Sequence, residues 1–151
     1  DNINLLKQAS RIFGSANITI IIQSIKINKK YYISKSSGRD LIKINPIDWV
    51  QKVEDYGAGE IFLNCIDRDG FRQGYDLDLL KRVVAAVDIP VVAMGGVFTW
   101  QHLVDGVSVG GADAVAAANI FHYRDQSVYL AKNYLFENNL PVRKPDILTI
   151  N

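Results

Sequence analysis

Cysteine is nearly missing from this sequence. Cys65 is the single one in 151 residues, which excludes a disulfide framework and a cysteine-rich zinc site. Histidine is almost as scarce, and His102 and His122 are too few for a self-sufficient histidine–metal centre. No apolar run approaches the roughly 20 residues that a membrane span needs. No leader-like stretch opens the chain, and no glycine-rich dinucleotide fingerprint occurs. Net charge is also small, with 17 Lys and Arg against 16 Asp and Glu. These absences lead to the expectation of a soluble, cytoplasmic protein with no metal, no cofactor and no membrane association.

What is present reads as globular. Apolar residues make up 48% and charged residues 22%, far from the profile of disorder. A chain of this size buries about two-thirds of its unfolded surface. The near-zero charge is unevenly spread. Residues 1–52 carry nine Lys/Arg and three Asp/Glu, whereas residues 53–140 carry six and twelve. A basic first third raises nucleic acid as a partner. Lys29, Lys30, Lys35, Arg39 and Lys43 read instead as solvated loop charge, with no aromatic-basic motif beside them, so no nucleic-acid partner is expected.

Apolar patterning alternates between two kinds of element. Ile18–Ile22 is a β-branched run suited to a strand buried on both faces, and Tyr31-Tyr32-Ile33 extends a small hairpin after it. Asn45-Pro46-Ile47-Asp48 supplies a cap, a first-turn proline and a first-turn acid for a helix running to about Tyr56, where Gly57 stops it. Glu60–Cys65 is the next strand. Asp76 caps a helix whose Leu79, Leu80, Val83, Val84 and Val87 form one apolar face. Ile89–Met94 is a third strand, Thr99 caps a helix to about Val109, Ala114–Ala118 is a fourth strand, and a last helix covers about Gln126 to Asn138. The first residues read as helix too. This (α)βαβαβαβα order implies right-handed crossovers and a parallel sheet. Gly57-Ala58-Gly59-Glu60-Ile61 and Gly111-Ala112-Asp113-Ala114-Val115 lead a helix end into a strand in the same way. Repeated βα units build either an open doubly wound sheet or a (βα)8 barrel, and glycines after the strands favour the barrel. A barrel takes about 250 residues, so four strands make half of one: residues 1–151 read as half a barrel, part of a longer chain. Its outermost strands are expected to be open edges that drive self-association or pairing with the other half.

Ligands of parallel α/β proteins meet the C-terminal ends of strands. Those ends here are Ile66-Asp67-Arg68-Asp69-Gly70, Gly95-Gly96 and Asn119-Ile120-Phe121-His122. Glycine lets backbone N–H groups approach an anion closely, and the last two ends resemble a barrel phosphate site. Tight turns with no ligand are the plain alternative. Asp67 and Asp69 are the only paired carboxylates at a strand end, fit either for general acid–base work or for capping a turn, with Asp67 paired to Arg68 or another base. His102 reads as helix surface, His122 as packing near the last helix, and Cys65 as a small buried side chain.

Gly57–Gly70 (GAGEIFLNCIDRDG), Gly74-Tyr75-Asp76, Ile89–Gly96 (IPVVAMGG) and Ala116–His122 (AAANIFH) resemble the cyclase subunit of imidazole glycerol phosphate synthase. Phe13-Gly14-Ser15 and Pro141-Val142-Arg143 fit as well. The resemblance implies the C-terminal half of that family's barrel, strands 5–8. It also implies a lyase/cyclase that uses ammonia from a glutaminase partner, in histidine biosynthesis, on a bisphosphorylated ribotide. It would place one phosphate at Gly70, Gly96, Ala118 and Asn119, with Asn64 and Asp69 lining the strand tops, Asp69 as a catalytic residue, Glu60 as an ammonia gate and Arg143 near the glutaminase interface.

One departure stands out. The family carries a catalytic Asp in a Ser/Ala-Ile-Asp pattern at the top of the fifth strand, and here the pattern reads Ser24-Ile25-Lys26. No Asp or Glu occurs between Asp1 and Asp40. Lys26 therefore stands for the family's Asp, and activity is in question. Three readings follow: an ammonia-using cyclase or its paralog in amino-sugar or surface-polysaccharide synthesis; a phosphate-sugar isomerase on the same barrel; and a degenerate subunit that scaffolds a glutaminase.

Overall fold

A computed structural model describes residues 2–123 and 127–145. Each helix starts where the sequence supplies a cap. In α1 (Ile3–Phe13), Asn2 accepts from the Asn4 N–H, and in α2 (Pro46–Asp55) Asn45 accepts from Ile47. Asp76 and Thr99 do the same for α3 (Leu77–Val84) and α4 (Trp100–Ser108). Such caps satisfy backbone donors that the first turn leaves without a partner. The last helices are α5 (Ile120–Tyr123) and α6 (Val128–Glu137). Gln126, the expected start of the final helix, lies outside the described residues.

The strands are β1 (Thr19–Ile27), β2 (Lys30–Lys35), β3 (Asp40–Ile42), β4 (Glu60–Cys65), β5 (Val91–Met94) and β6 (Ala114–Val115). They form one sheet in the order β3-β2-β1-β4-β5-β6. β1, β4, β5 and β6 run parallel, and β2 and β3 fold back antiparallel as a hairpin extension. The parallel strands lie side by side in chain order, and α2, α3, α4 and α6 touch in succession. A doubly wound sheet reverses strand order at a switch point. A monotonic order with sequential helix neighbours is instead an arc of a (βα)8 barrel.

Register divides the sheet into two faces, because side-by-side residues of paired strands point the same way. Ile22, Ser24, Ile61, Leu63, Cys65, Val91 and Ala93 lie on the buried, helix-covered face, with Val50, Val53, Leu79, Leu80 and Val83 of the helices completing the core. Thr19, Ile21, Gln23, Glu60, Phe62, Asn64, Val92 and Met94 share the opposite face. The repeated glycine–alanine entries superpose in kind. Gly57 and Gly111 both have positive φ, Ala58 and Ala112 are buried, and the next N–H in each (Gly59, Asp113) donates to the preceding parallel strand.

Four expectations change. β5 begins at Val91 rather than Ile89, because the N–H groups of Asp88 and Ile89 donate to the Glu54 carboxylate and Pro90 has none to give. The strand expected over Ala114–Ala118 is only β6: after Ala116 donates to Ala93, the Ala116 carbonyl accepts from the Tyr75 hydroxyl and the chain turns away. β1 runs on to Ile27, and the hairpin has two further strands rather than a short extension. Its outer edge is therefore not fully open. β2 covers Gln23–Ile27, and only Thr19–Ile22 lack a neighbour on that side. Apolar side chains cluster near this uncovered stretch, with Ile21 67% and Phe13 64% exposed. No helix among the described residues is long and apolar enough to cross a membrane.

Candidate functional site

The C-terminal strand ends converge on one cleft. Asp69, Gly70, Met94, Gly95, Gly96, Val97, Ala118 and Asn119 line it together. Five of the residues picked from sequence thus meet, from three separate βα turns. Packing explains the glycines. Gly96 has φ +87°, and a Cβ there would strike the Gly74 carbonyl oxygen. Gly74 in turn donates its N–H to the Gly96 carbonyl at 2.8 Å, which laces the β4–α3 loop to the β5–α4 loop. The acidic turn is built on one acceptor: the N–H groups of Arg68 and Asp69 both donate to the Cys65 carbonyl at 3.0 Å.

Asn64 does not line the cleft, yet it stands at its base. Its Oδ1 is buried without a hydrogen-bond partner, and the Gly95 backbone passes close beside it. A buried carbonyl oxygen with no donor is costly. Cys65 faces the core, where burial pushes its thiol up to about 12, so it stays a neutral packing group rather than a nucleophile.

The structure places the remaining candidates apart. Lys26 shares the face of Ser24 and Cys65, and its Nζ donates to the Tyr31 hydroxyl at 2.8 Å. Parity, not distance alone, separates it from the cleft: the residue level with Asn64, on the same face, is Gln23. The Gln23 Oε1 accepts from the Ser37 N–H at 3.2 Å. Counting the β1 alternation from Ile18 identifies Gln23, a signal that the Ser24-Ile25-Lys26 pattern masks. Glu60 opens β4 at the far end of the sheet, where Thr19 donates to its carboxylate at 2.8 Å. Arg143 lies in a groove with Val128, Tyr129 and Lys132 of α6. Arg68 pairs not with Asp67 but with Asp76, at 4.0 Å. His102 is no idle surface group: its Nδ1 accepts the Phe98 N–H at 3.2 Å, tying the β5–α4 loop to α4.

Arg72 escaped the sequence reading, and Asp76 was read only as a cap. Arg72, at φ +62°, holds its guanidinium 4.7 Å from the Phe98 ring centre, in a hollow of about 130 Å³ with Gly70, Val97 and Asn119. It brings a cation to the rim of the glycine-lined cleft. Asp76, only 2% exposed, is more than a helix cap, because its carboxylate also accepts from the Tyr31 hydroxyl at 2.9 Å. Burial, together with Asp76 and Asp78, pushes the Tyr31 phenol far above its ordinary value. The hairpin is thereby pinned to the start of α3. No cluster of metal-ligating side chains occurs among the described residues.

Chemically, the cleft offers backbone N–H groups, an amide, a nearby guanidinium and one exposed carboxylate. That set suits an anion such as a phosphate ester. Sequential parallel strands with a ligand cleft at their C-terminal ends define the chain as a segment of a (βα)8-barrel protein.

The chain belongs to the histidine biosynthesis protein family, whose profile matches residues 1–127. It is 42% identical over 143 residues to a Vibrio vulnificus protein named, provisionally, imidazole glycerol phosphate synthase subunit hisF2, covering 95% of this chain and 53% of that protein. Imidazole glycerol phosphate synthase subunits HisF of Chlorobium phaeobacteroides (strain BS1) and Chlorobaculum tepidum are each 40% identical over 139 residues, covering 92% of this chain and 55% of theirs. The chain thus spans about half the length of the curated relatives it matches.

Proposed function

We propose that this chain forms the C-terminal half-barrel of a cyclase subunit of imidazole glycerol phosphate synthase, and that it grips one phosphate of a bisphosphorylated ribotide. The carrying observation is the convergence of Gly70, Gly96, Ala118 and Asn119, from three loops, on one cleft beside Asp69. Ammonia from a glutaminase partner would enter at the Glu60 end, and Arg143 would lie toward that partner. The other half-barrel would complete the site and cover the Thr19–Ile22 edge. The cell compartment is that of the pathway, the cytoplasm.

A second reading has its own observation. The strand-top residue beside Asn64 is Gln23, an amide, so the carboxylate that the family resemblance implies on this strand is missing there as well as at Lys26. An amide cannot accept a proton near neutral pH. This favours a degenerate subunit that scaffolds a glutaminase, or a paralog with altered chemistry.

The two readings separate in one experiment. The chain is completed with the N-terminal half of the Chlorobaculum tepidum relative and assayed with ammonium salt and the bisphosphorylated ribotide. Turnover supports the cyclase. Phosphate binding without turnover, restored by Gln23→Asp, supports the degenerate form. Absence of phosphate binding at Gly96 and Asn119 removes both.

A further inference from the structure

A second, more spacious cleft lies away from the glycine-lined site. It has a volume of about 510 Å³ and is lined by Lys29, Lys30, Lys43 and Arg82, with Tyr31, Tyr32, Asn45 and Asp48. Four cations face one carboxylate. The three lysines come from the β1–β2 turn and the end of the hairpin, whereas Arg82 comes from α3, so folding gathers charges that the sequence scatters over more than 50 positions. Among the described residues the side chains of Lys29, Lys30 and Lys43 make no hydrogen bond or ion pair. Arg82 only lies 5.7 Å from the Tyr31 ring centre.

Two features show that the cleft is held in place rather than left to solvent. The first is the turn. Ile27 pairs with Lys30, so Asn28-Lys29 is a two-residue loop, with φ of +48° and +65°. Such turns favour Asn followed by Gly. A lysine there carries a strained left-handed backbone, and it places a cation in the cleft lining. The second is the clamp. The Tyr31 hydroxyl meets Asp76 at 2.9 Å and Asp78 at 3.0 Å, which fixes the lysine-bearing hairpin against α3 and its Arg82. Gathering four cations around one lining carboxylate leaves an excess of positive charge in the cleft, which an anion relieves.

We propose that this cleft binds a small ligand carrying two or more phosphate groups, separately from the Asp69–Asn119 cleft. Its volume falls within the roughly 300–1,000 Å³ typical of small-ligand sites. Four converging cations suit two phosphates better than one. The cleft is enclosed on one side by the pinned hairpin, which favours a small polyanion over an extended acidic chain.

The test uses the isotope-labelled chain and inorganic pyrophosphate as probe, followed by amide NMR. Sulfate at matched ionic strength, orthophosphate and a poly-glutamate peptide serve as comparators. The expected result is saturable shifts at Lys29–Tyr32 and Lys43–Asn45, with pyrophosphate at least tenfold tighter than sulfate or orthophosphate. The double variant Lys29→Gly/Lys43→Gln should weaken binding at least tenfold. Glycine suits the turn, so this variant keeps its fold. Tyr31→Phe should weaken binding while leaving the four cations intact. Shifts equal to those with sulfate, shifts confined to Gly70, Gly96 and Asn119, an unaffected double variant, or poly-glutamate binding tighter than pyrophosphate would each overturn the proposal.

Discussion

Gly96→Ala and Gly70→Ala test whether loop lacing, or merely a left-handed backbone, holds the glycine-lined cleft. Both residues have positive φ, +87° and +79°. An added methyl at either site pays roughly 1–2 kcal/mol for the left-handed conformation. At Gly70 that is the whole expected cost, since the nearest atom to the new Cβ is the Asn119 Nδ2, 3.8 Å away. At Gly96 the methyl strikes the Gly74 carbonyl and lies 3.0 Å from the Arg68 carbonyl oxygen. Both are backbone atoms, so no side chain can swing aside. Relief requires the loops to part, which breaks the 2.8 Å bond from the Gly74 N–H to the Gly96 carbonyl. Leaving that pair unsatisfied adds about 1–3 kcal/mol. The expected losses are therefore about 2–5 kcal/mol for Gly96→Ala and about 1–2 for Gly70→Ala. Urea unfolding measures both, and an unchanged m-value confirms that the shift is one of stability. Orthophosphate binding should fall in the Gly96 variant alongside stability. Equal losses in the two variants, or the reverse order, would refute the packing argument.

Other outcomes follow from single contacts. Tyr31→Phe removes the phenol donor from the buried Asp76 carboxylate and should cost about 1–3 kcal/mol, read from the same unfolding curves. Burial raises the pKa of Cys65, to about 12, and that of Tyr75 in the same direction, so both become weaker acids. A raised folded-state pKa contributes stability in full below the unfolded thiol's pKa and loses it as pH climbs toward 12. Stability should thus decline from about pH 9 upward; Cys65→Ala should flatten the first part of that decline, and a steeper fall in the variant would contradict it. At pH 8 the native thiol should resist iodoacetamide and react only on unfolding. Finally, Ile21 is exposed on the uncovered stretch of β1. The isolated chain should self-associate there, and Ile21→Lys should weaken association at least tenfold by light scattering, since burying such a side chain is worth about 1.5–3 kcal/mol; a monomeric parent chain would sink this expectation.

Much of the architecture was legible because local signals and long-range packing agree. Asn45, Asp76 and Thr99 cap the helices that follow them, and the alternating βα order specifies a parallel sheet. Strand order, which distinguishes a barrel arc from a doubly wound sheet, is a long-range property and needed the structure. The glycines of the cleft were readable as strand-end turns, but not the reason for Gly95 and Gly96, which is contact with backbone more than 20 positions away. Lys26 shows the limit most clearly. A three-residue pattern placed it at the strand top, yet a slip of an odd number of residues transfers a side chain to the other face. Only the register with β4 puts Gln23 beside Asn64. Lys29, Lys30 and Lys43 read as ordinary solvated charge in one dimension, because Arg82 reaches them only through folding.

The division of β1 into a bare half and a sheathed half has a mechanical meaning. On this side of β1 only Thr19–Ile22 can accept a further strand, a window of about 13 Å at 3.3 Å per residue. Beyond it the hairpin blocks the way, pinned by Tyr31 to α3. An incoming strand has little room to slide along this edge, since its travel ends where β2 begins. The same hairpin that carries the lysines thus acts as a stop, steering the open edge toward a closed ring of strands and away from open-ended stacking.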